Sequence, residues 1–170
     1  MKVAAQARAR VTARASMRIP TTVRLLRKHR GHRTLVFHES IDDAEMICKE
    51  LCRDGHRATI YHSRIGESVR RDNLRLFRRG VFDVLVCCRA LDEGINVPEA
   101  CVAVIASATA SGRQRIQRLG RVLRKVPGKD HAAVYTLYAT KEEEARLAEE
   151  EAKLLGIASI KWQRTSISNG

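Results

Sequence analysis

Aromatic residues are scarce in this 170-residue chain, 4% of the total, so any core must rest on Val, Ile, Leu and Ala. Proline occurs three times, and no apolar run approaches the roughly 18–20 residues that a bilayer span requires. The five cysteines (Cys48, Cys52, Cys87, Cys88, Cys101) form no C-x-x-C pair, and no neighbouring histidines complete a zinc-finger spacing. Neither a structural metal nor a disulfide is therefore expected. No G-x-x-x-x-G-K-[ST] loop is present to cradle phosphates. With 44% hydrophobic residues the chain is long enough for one folded domain, and disordered, collagen-like and coiled-rod classes are excluded.

Acid is missing in two places. Residues 1–33 hold ten Lys/Arg and no Asp or Glu, and the stretch Arg113 to Lys129 holds seven with none. The formal net charge is +13. Such stretches favour polyanions, nucleic acid before anionic membrane; the plainer reading is a solubilising basic tail. Residues 1–19 are read as a basic arm or linker, 20–158 as the folded domain and 159–170 as a tail. Met1 to Arg18 also has the composition of a mitochondrial transit peptide, which stands as the alternative to a plain arm.

From Thr34 the chain alternates apolar runs with helical periodicities. Strands are expected at 34–38, 56–62, 82–88, 101–107 and 131–139. Helices are expected from Ser40 as N-cap to Gly55, from Gly66 to Gly80 with a stripe of Val69, Leu74, Leu76 and Phe77, over 111–124, and from Thr140 to about Leu155. This order implies an α/β fold with a mainly parallel sheet covered by helices on both faces. Working residues in such sheets lie beyond the carboxyl ends of the strands. Cys87 and Cys88 should point to opposite faces, and Cys48 and Cys52 should share one helix face.

Three segments carry chemistry. Leu91-Asp-Glu-Gly-Ile-Asn-Val-Pro98 follows the third strand, with Gly94 permitting close backbone approach and Asn96 offering an amide. Gln117-Arg-Leu-Gly-Arg-Val-Leu-Arg124 places Gln117, Arg121 and Arg124 on one helical face, and planar guanidinium groups suit phosphate oxygens. The third is His62 with the helix around Arg70 and Arg71. For His62 alone, a hydrogen-bonded strand-end histidine competes with a ligand role.

QRLGRVLR resembles motif VI, Q-x-x-G-R-x-x-R, of superfamily 2 helicases. TLVFHES resembles motif IV, the run from His62 to Gly80 resembles the adjoining conserved helix, and VLVCCRALDEGINVPEA resembles motif V. All stand in family order and cover about residues 20–140. The wording is closer to excision-repair and restriction-type DNA translocases than to DEAD-box RNA helicases. The resemblance implies the second, C-terminal RecA-like domain, a three-layer α/β/α unit.

It also implies roles. Arg121 and Arg124 are then arginine fingers, Gln117 couples nucleotide to nucleic acid, and Gly94 with Asn96 line the interdomain cleft. His62, Arg70, Cys88 and Arg89 face nucleic acid. Relatives often carry Thr-Asp where this chain has Cys88-Arg89, which weakens a hydroxyl contact there. ATP and Mg2+ are expected to be held mainly by a separate P-loop RecA-like domain, so Asp92-Glu93 is not read as a magnesium pair. The implied partners are nucleic acid, DNA before RNA, and that P-loop domain, with no membrane, in the cytoplasm or on a bacterial nucleoid. The competing reading is a non-catalytic nucleic-acid-binding or regulatory module on the same fold. A dinucleotide enzyme is set aside because Phe37-His-Glu-Ser40 contains no glycine.

Overall fold

The computed structural model describes residues 17–88, 97, 100–107, 133–151, 161 and 163. The described elements are α1 (Arg18–Arg27), β1 (Thr34–His38), α2 (Ile41–Arg53), β2 (Ala58–Tyr61), α3 (Glu67–Arg79), β3 (Val84–Cys88), β4 (Val102–Ile105), β5 (Ala133–Thr136) and α4 (Lys141–Glu151). The five strands form one sheet in the order β2-β3-β1-β4-β5, every pair parallel. Register runs Thr34↔Val84 through His38↔Cys88 on one side of β1 and Thr34↔Val102 through Phe37↔Ile105 on the other. The strands expected at 131–139 and 82–88 are thus present in shortened form.

Every residue of β1, β3 and β4 is buried, as expected of strands covered on both faces. Val36, Val84, Val86, Cys88, Val102 and Val104 point to one face, beneath Val23 and Leu26 of α1 and Ala44, Ile47 and Leu51 of α2. Leu35, Phe37, Leu85, Cys87, Ala103 and Ile105 point to the other, with Phe77 of α3, Val97 and Ala100. Cys87 and Cys88 accordingly fall on opposite sides. Burial of a side chain like Phe77 is worth about 1.5–3 kcal/mol, and its truncation to alanine about 3–5 kcal/mol with the cavity included.

Local chemistry sets the helix ends. Ser40 Oγ accepts from the Asp43 N–H at 3.3 Å, with Asp42 and Asp43 in the first turn of α2. Thr140 Oγ1 accepts from the Glu143 N–H at 3.2 Å, while Glu143 Oε2 reaches back to the Ala139 and Thr140 N–H groups, a reciprocal capping box for α4. Gly80, at φ 86, terminates α3 in the left-handed region.

Two expectations need correction. Val69 is exposed, not part of the α3 stripe. The inward positions are Arg70, Asn73, Leu74 and Phe77, at the i, i+3, i+4, i+7 spacing. The two polar members find partners: Asn73 Nδ2 donates to the Ile60 carbonyl at 2.9 Å on the edge strand β2, and Arg70 lies over Tyr61. Arg18, placed by the sequence in the arm over 1–19, opens α1 and is buried. No element was expected before Thr34, since the inner stripe of α1 (Arg18, Thr22, Val23, Leu26) is half polar. The helix expected over 111–124 lies outside the described residues.

Candidate nucleic-acid interface

A parallel sheet brings all its carboxyl ends to one edge, so His38, Tyr61 and Cys88, the last residues of β1, β2 and β3, stand side by side there with His62 just beyond. α2 and α3 start from this edge and present their first turns to it.

His38 and His62 use the same local device. Each accepts at Nδ1 from the backbone N–H two residues on, Ser40 at 3.1 Å and Arg64 at 3.3 Å. Each then turns Nε2 toward an α2 carboxylate, Asp43 at 3.7 Å and Glu45 at 3.2 Å. The His62 contact is within ion-pair range but lacks hydrogen-bond alignment. Burial lowers the pKa of both rings, against an opposing pull from the nearby carboxylate. Neutral imidazole is favoured at both positions. Arg64, which the sequence reading did not single out, pairs with Asp42 at 2.7 Å and is 55% exposed. The amino-terminal part of α2 is therefore held by one arginine and two histidines.

His62 is buried at 1%, so its placement is that of a hydrogen-bonded strand-end residue that positions the loop, not of a surface ligand. Cys88 is also buried, and its Sγ lies 3.1 Å from the Glu39 carbonyl, to which it donates. Arg70 differs. Its half-buried guanidinium stacks 5.5 Å from the centroid of the Tyr61 ring, which holds the planar group at the edge. Arg70 and Arg64 are thus described cations that this edge offers to a phosphate. Arg89, Gly94, Asn96, Gln117, Arg121 and Arg124 lie outside the described residues.

Behind the edge, Arg18 ties three elements together. Its Nη1 donates to the Ala106 carbonyl just after β4 at 3.1 Å, and its Nη2 to both Glu143 oxygens at 2.5 and 2.7 Å. Glu143 serves the capping box and this ion pair at once, and its pKa is lowered by those contacts in spite of burial. The only hint in the sequence is Thr140 followed three residues later by Glu143. Among the described residues no three His, Cys, Asp or Glu side chains converge to hold a metal ion.

Residues 17–126 match the family model described as helicase conserved C-terminal domain. The chain is 35% identical over 125 residues to UvrABC system protein B of Methanococcoides burtonii, covering 71% of this chain and 19% of that protein. It is 30% identical over 117 residues to the DNA 3'-5' translocase XPB2 of Sulfurisphaera tokodaii, covering 69% of this chain and 25% of that one. The chain thus spans a quarter or less of the length of these relatives. The solved C-terminal domain of the DEAD-box protein Dbp5 superposes with a TM-score of 0.70 at 21% identity, covering 85% of this chain and 81% of that domain. At that identity the likeness is one of fold.

Proposed function

The chain belongs to the helicase conserved C-terminal domain family, the second RecA-like domain of superfamily 2 helicases, and on that footing we propose that it is one motor half of an ATP-dependent DNA helicase or translocase. The observation that carries this reading is the reach of the family match, residues 17–126, which takes in motifs IV, V and VI together. The DNA assignment is supported by relatives named for DNA translocation and for the UvrABC system.

In this reading ATP and Mg2+ sit in a cleft, held mainly by a P-loop domain. Arg121 and Arg124 enter that cleft and stabilise charge on the transferring phosphoryl group, an effect worth about 10³–10⁵ in rate. Gln117 relays nucleotide state to nucleic acid, and Gly94 and Asn96 line the interdomain surface. Arg70 and Arg89 contact the phosphate backbone, with His62 and Cys88 shaping the loops that carry them. Closure and opening of the cleft then moves the two domains along the strand.

The test is DNA-stimulated ATP hydrolysis by the purified chain, alone and with a P-loop RecA-like domain added. The expected result is no turnover alone, turnover with the partner, and its loss in Arg121→Ala. Turnover by the chain alone that disappears in Arg121→Ala overturns the half-site reading. No turnover with the partner favours a non-catalytic nucleic-acid-binding module. RNA in place of DNA, giving stronger stimulation, reverses the substrate assignment.

A further inference from the structure

The opposite edge of the sheet carries a charge that the motor reading leaves unused. α1, α2 and α3 all end there, and each turns back into the sheet through a left-handed glycine: Gly31, Gly55 and Gly80, at φ 79, 84 and 86. The amino ends of β1, β2 and β3 meet at the same edge, where Thr34 N–H donates to the Asp83 carbonyl and Asp83 N–H to the Arg57 carbonyl, each at 2.8 Å. These three turns and the helix ends leading into them bring together Arg27, Lys28, Arg30, Arg33, Arg53, Arg57, Arg78 and Arg79. Among the described residues the acids beside them are Glu50, Asp54 and Asp83.

Those acids are already engaged. Asp54 serves two arginines, Arg27 at 2.5 Å and Arg30 at 3.0 Å; Asp83 pairs with Arg57 at 2.7 Å and Glu50 with Arg53 at 2.5 Å. Arg33 caps the carbonyls of Phe77 and Arg78 at the end of α3. Lys28 and Arg79 are exposed and form no ion pair with any described residue. Helix dipoles account for part of the excess, since cations suit helix C-termini, but three dipoles offer only about 1.5 negative charges. The named cations exceed the acids by more than that. Among the described residues this edge is net positive.

We propose that this amino-terminal edge is a second nucleic-acid-binding surface, one that grips the phosphate backbone away from the strand carboxyl ends. The strands separate the two edges by roughly 15 Å, so a phosphate at one edge cannot share its contact with the other. From β2 to β1 the edge is about 10 Å wide, room for roughly three phosphates of a duplex strand. An acidic protein partner fits less well, because Val81 is the one exposed large apolar side chain of these turns and gives no apolar anchor cluster. The basic stretch up to Arg33 that stands out in the sequence thereby divides. Arg18 is consumed inside the fold, while Arg27 to Arg33 belong to this edge. The proposal does not depend on ATP hydrolysis.

The experiment is a fluorescence-anisotropy titration of labelled duplex DNA with the full chain at several salt concentrations, without nucleotide. Lys28→Gln/Arg79→Gln is compared with wild type, and circular dichroism checks that it is folded. The expected result is a fall of about two in the magnitude of the log K against log salt slope, with each single variant giving about half, and weaker binding at low salt. Arg70→Gln should add a further, independent decrease. An unchanged slope in folded single and double variants overturns the proposal. So does a variant that loses binding to poly-glutamate while keeping the DNA slope, which would mark the edge as a dock for an acidic protein.

Discussion

His62 Nε2 lies 3.2 Å from Glu45 Oε1, joining the end of β2 to the amino-terminal part of α2, while its Nδ1 accepts from the Arg64 backbone. Arg64 in turn pairs with Asp42, one turn from Glu45. The buried ring thus holds the loop that puts Arg64 at the carboxyl edge.

Acid should weaken this fold in a window set by its histidines. The pKa values of His29, His38, His56 and His62 all lie below the ordinary 6.5, with burial the leading cause. A depressed histidine pKa means that the unfolded chain takes up protons first. The stabilisation is then present above about pH 6.5 and is lost as pH falls through the folded-state values. Thermal unfolding followed from pH 7.5 to pH 5 should show a falling midpoint. In His38→Gln/His62→Gln the fall should be shallower; an equally steep fall would place the effect elsewhere.

Arg18 and Glu143 form a pair in which each charge needs the other, with side chains 10% and 23% exposed. Arg18→Met should cost about 2 kcal/mol, because the half-buried Glu143 carboxylate loses its cation and keeps only the Ala139 and Thr140 N–H bonds. Glu143→Gln should cost a similar amount: glutamine keeps a capping-box acceptor, but Arg18, the more buried partner, loses its counter-charge. In urea unfolding the double variant should be more stable than the sum of the single losses predicts; strict additivity would show that the pair is not coupled.

Gly80 and Gly31 provide a matched comparison. Both have positive φ, but a Cβ at Gly31 meets nothing within 4 Å, whereas one at Gly80 would overlap the Arg33 guanidinium. Gly31→Ala should cost about 1 kcal/mol from backbone strain alone. Gly80→Ala should cost about 1 kcal/mol more, because Arg33 is driven off the last carbonyls of α3. The difference should vanish in an Arg33→Ala background, as read by denaturant midpoints.

Arg70 and Tyr61 should act together on nucleic acid. Arg70→Ala should weaken binding to all sequences alike and lower the salt slope by about one. Tyr61→Leu keeps the charge but removes the ring beneath it, so affinity should fall with the slope nearly unchanged. A sequence-dependent loss in Arg70→Ala would argue for a base contact instead.

Much of this protein is local in origin, and that part was legible without coordinates. Apolar runs long enough for strands covered on both faces, Ser40 before two aspartates, Gly55 and Gly80 after their helices, and the order of motifs IV, V and VI all act over a few residues. They determine the strand sequence, the parallel sheet and the family. Other features depend on residues distant in sequence. Arg18 reads as one more cation of a basic arm until folding brings it to Glu143, 125 residues away, where desolvation makes the pair mutually dependent. Arg70 and Asn73 lie outside the apolar stripe that the sequence suggests, until β2 supplies a ring and a carbonyl. His62 goes inward because α2 covers it. The basic amino-terminal edge has no counterpart in any one segment, since three separate turns compose it. Periodicity and capping are written in short range, but burial of charge and the summing of fields are decided only when the chain closes on itself.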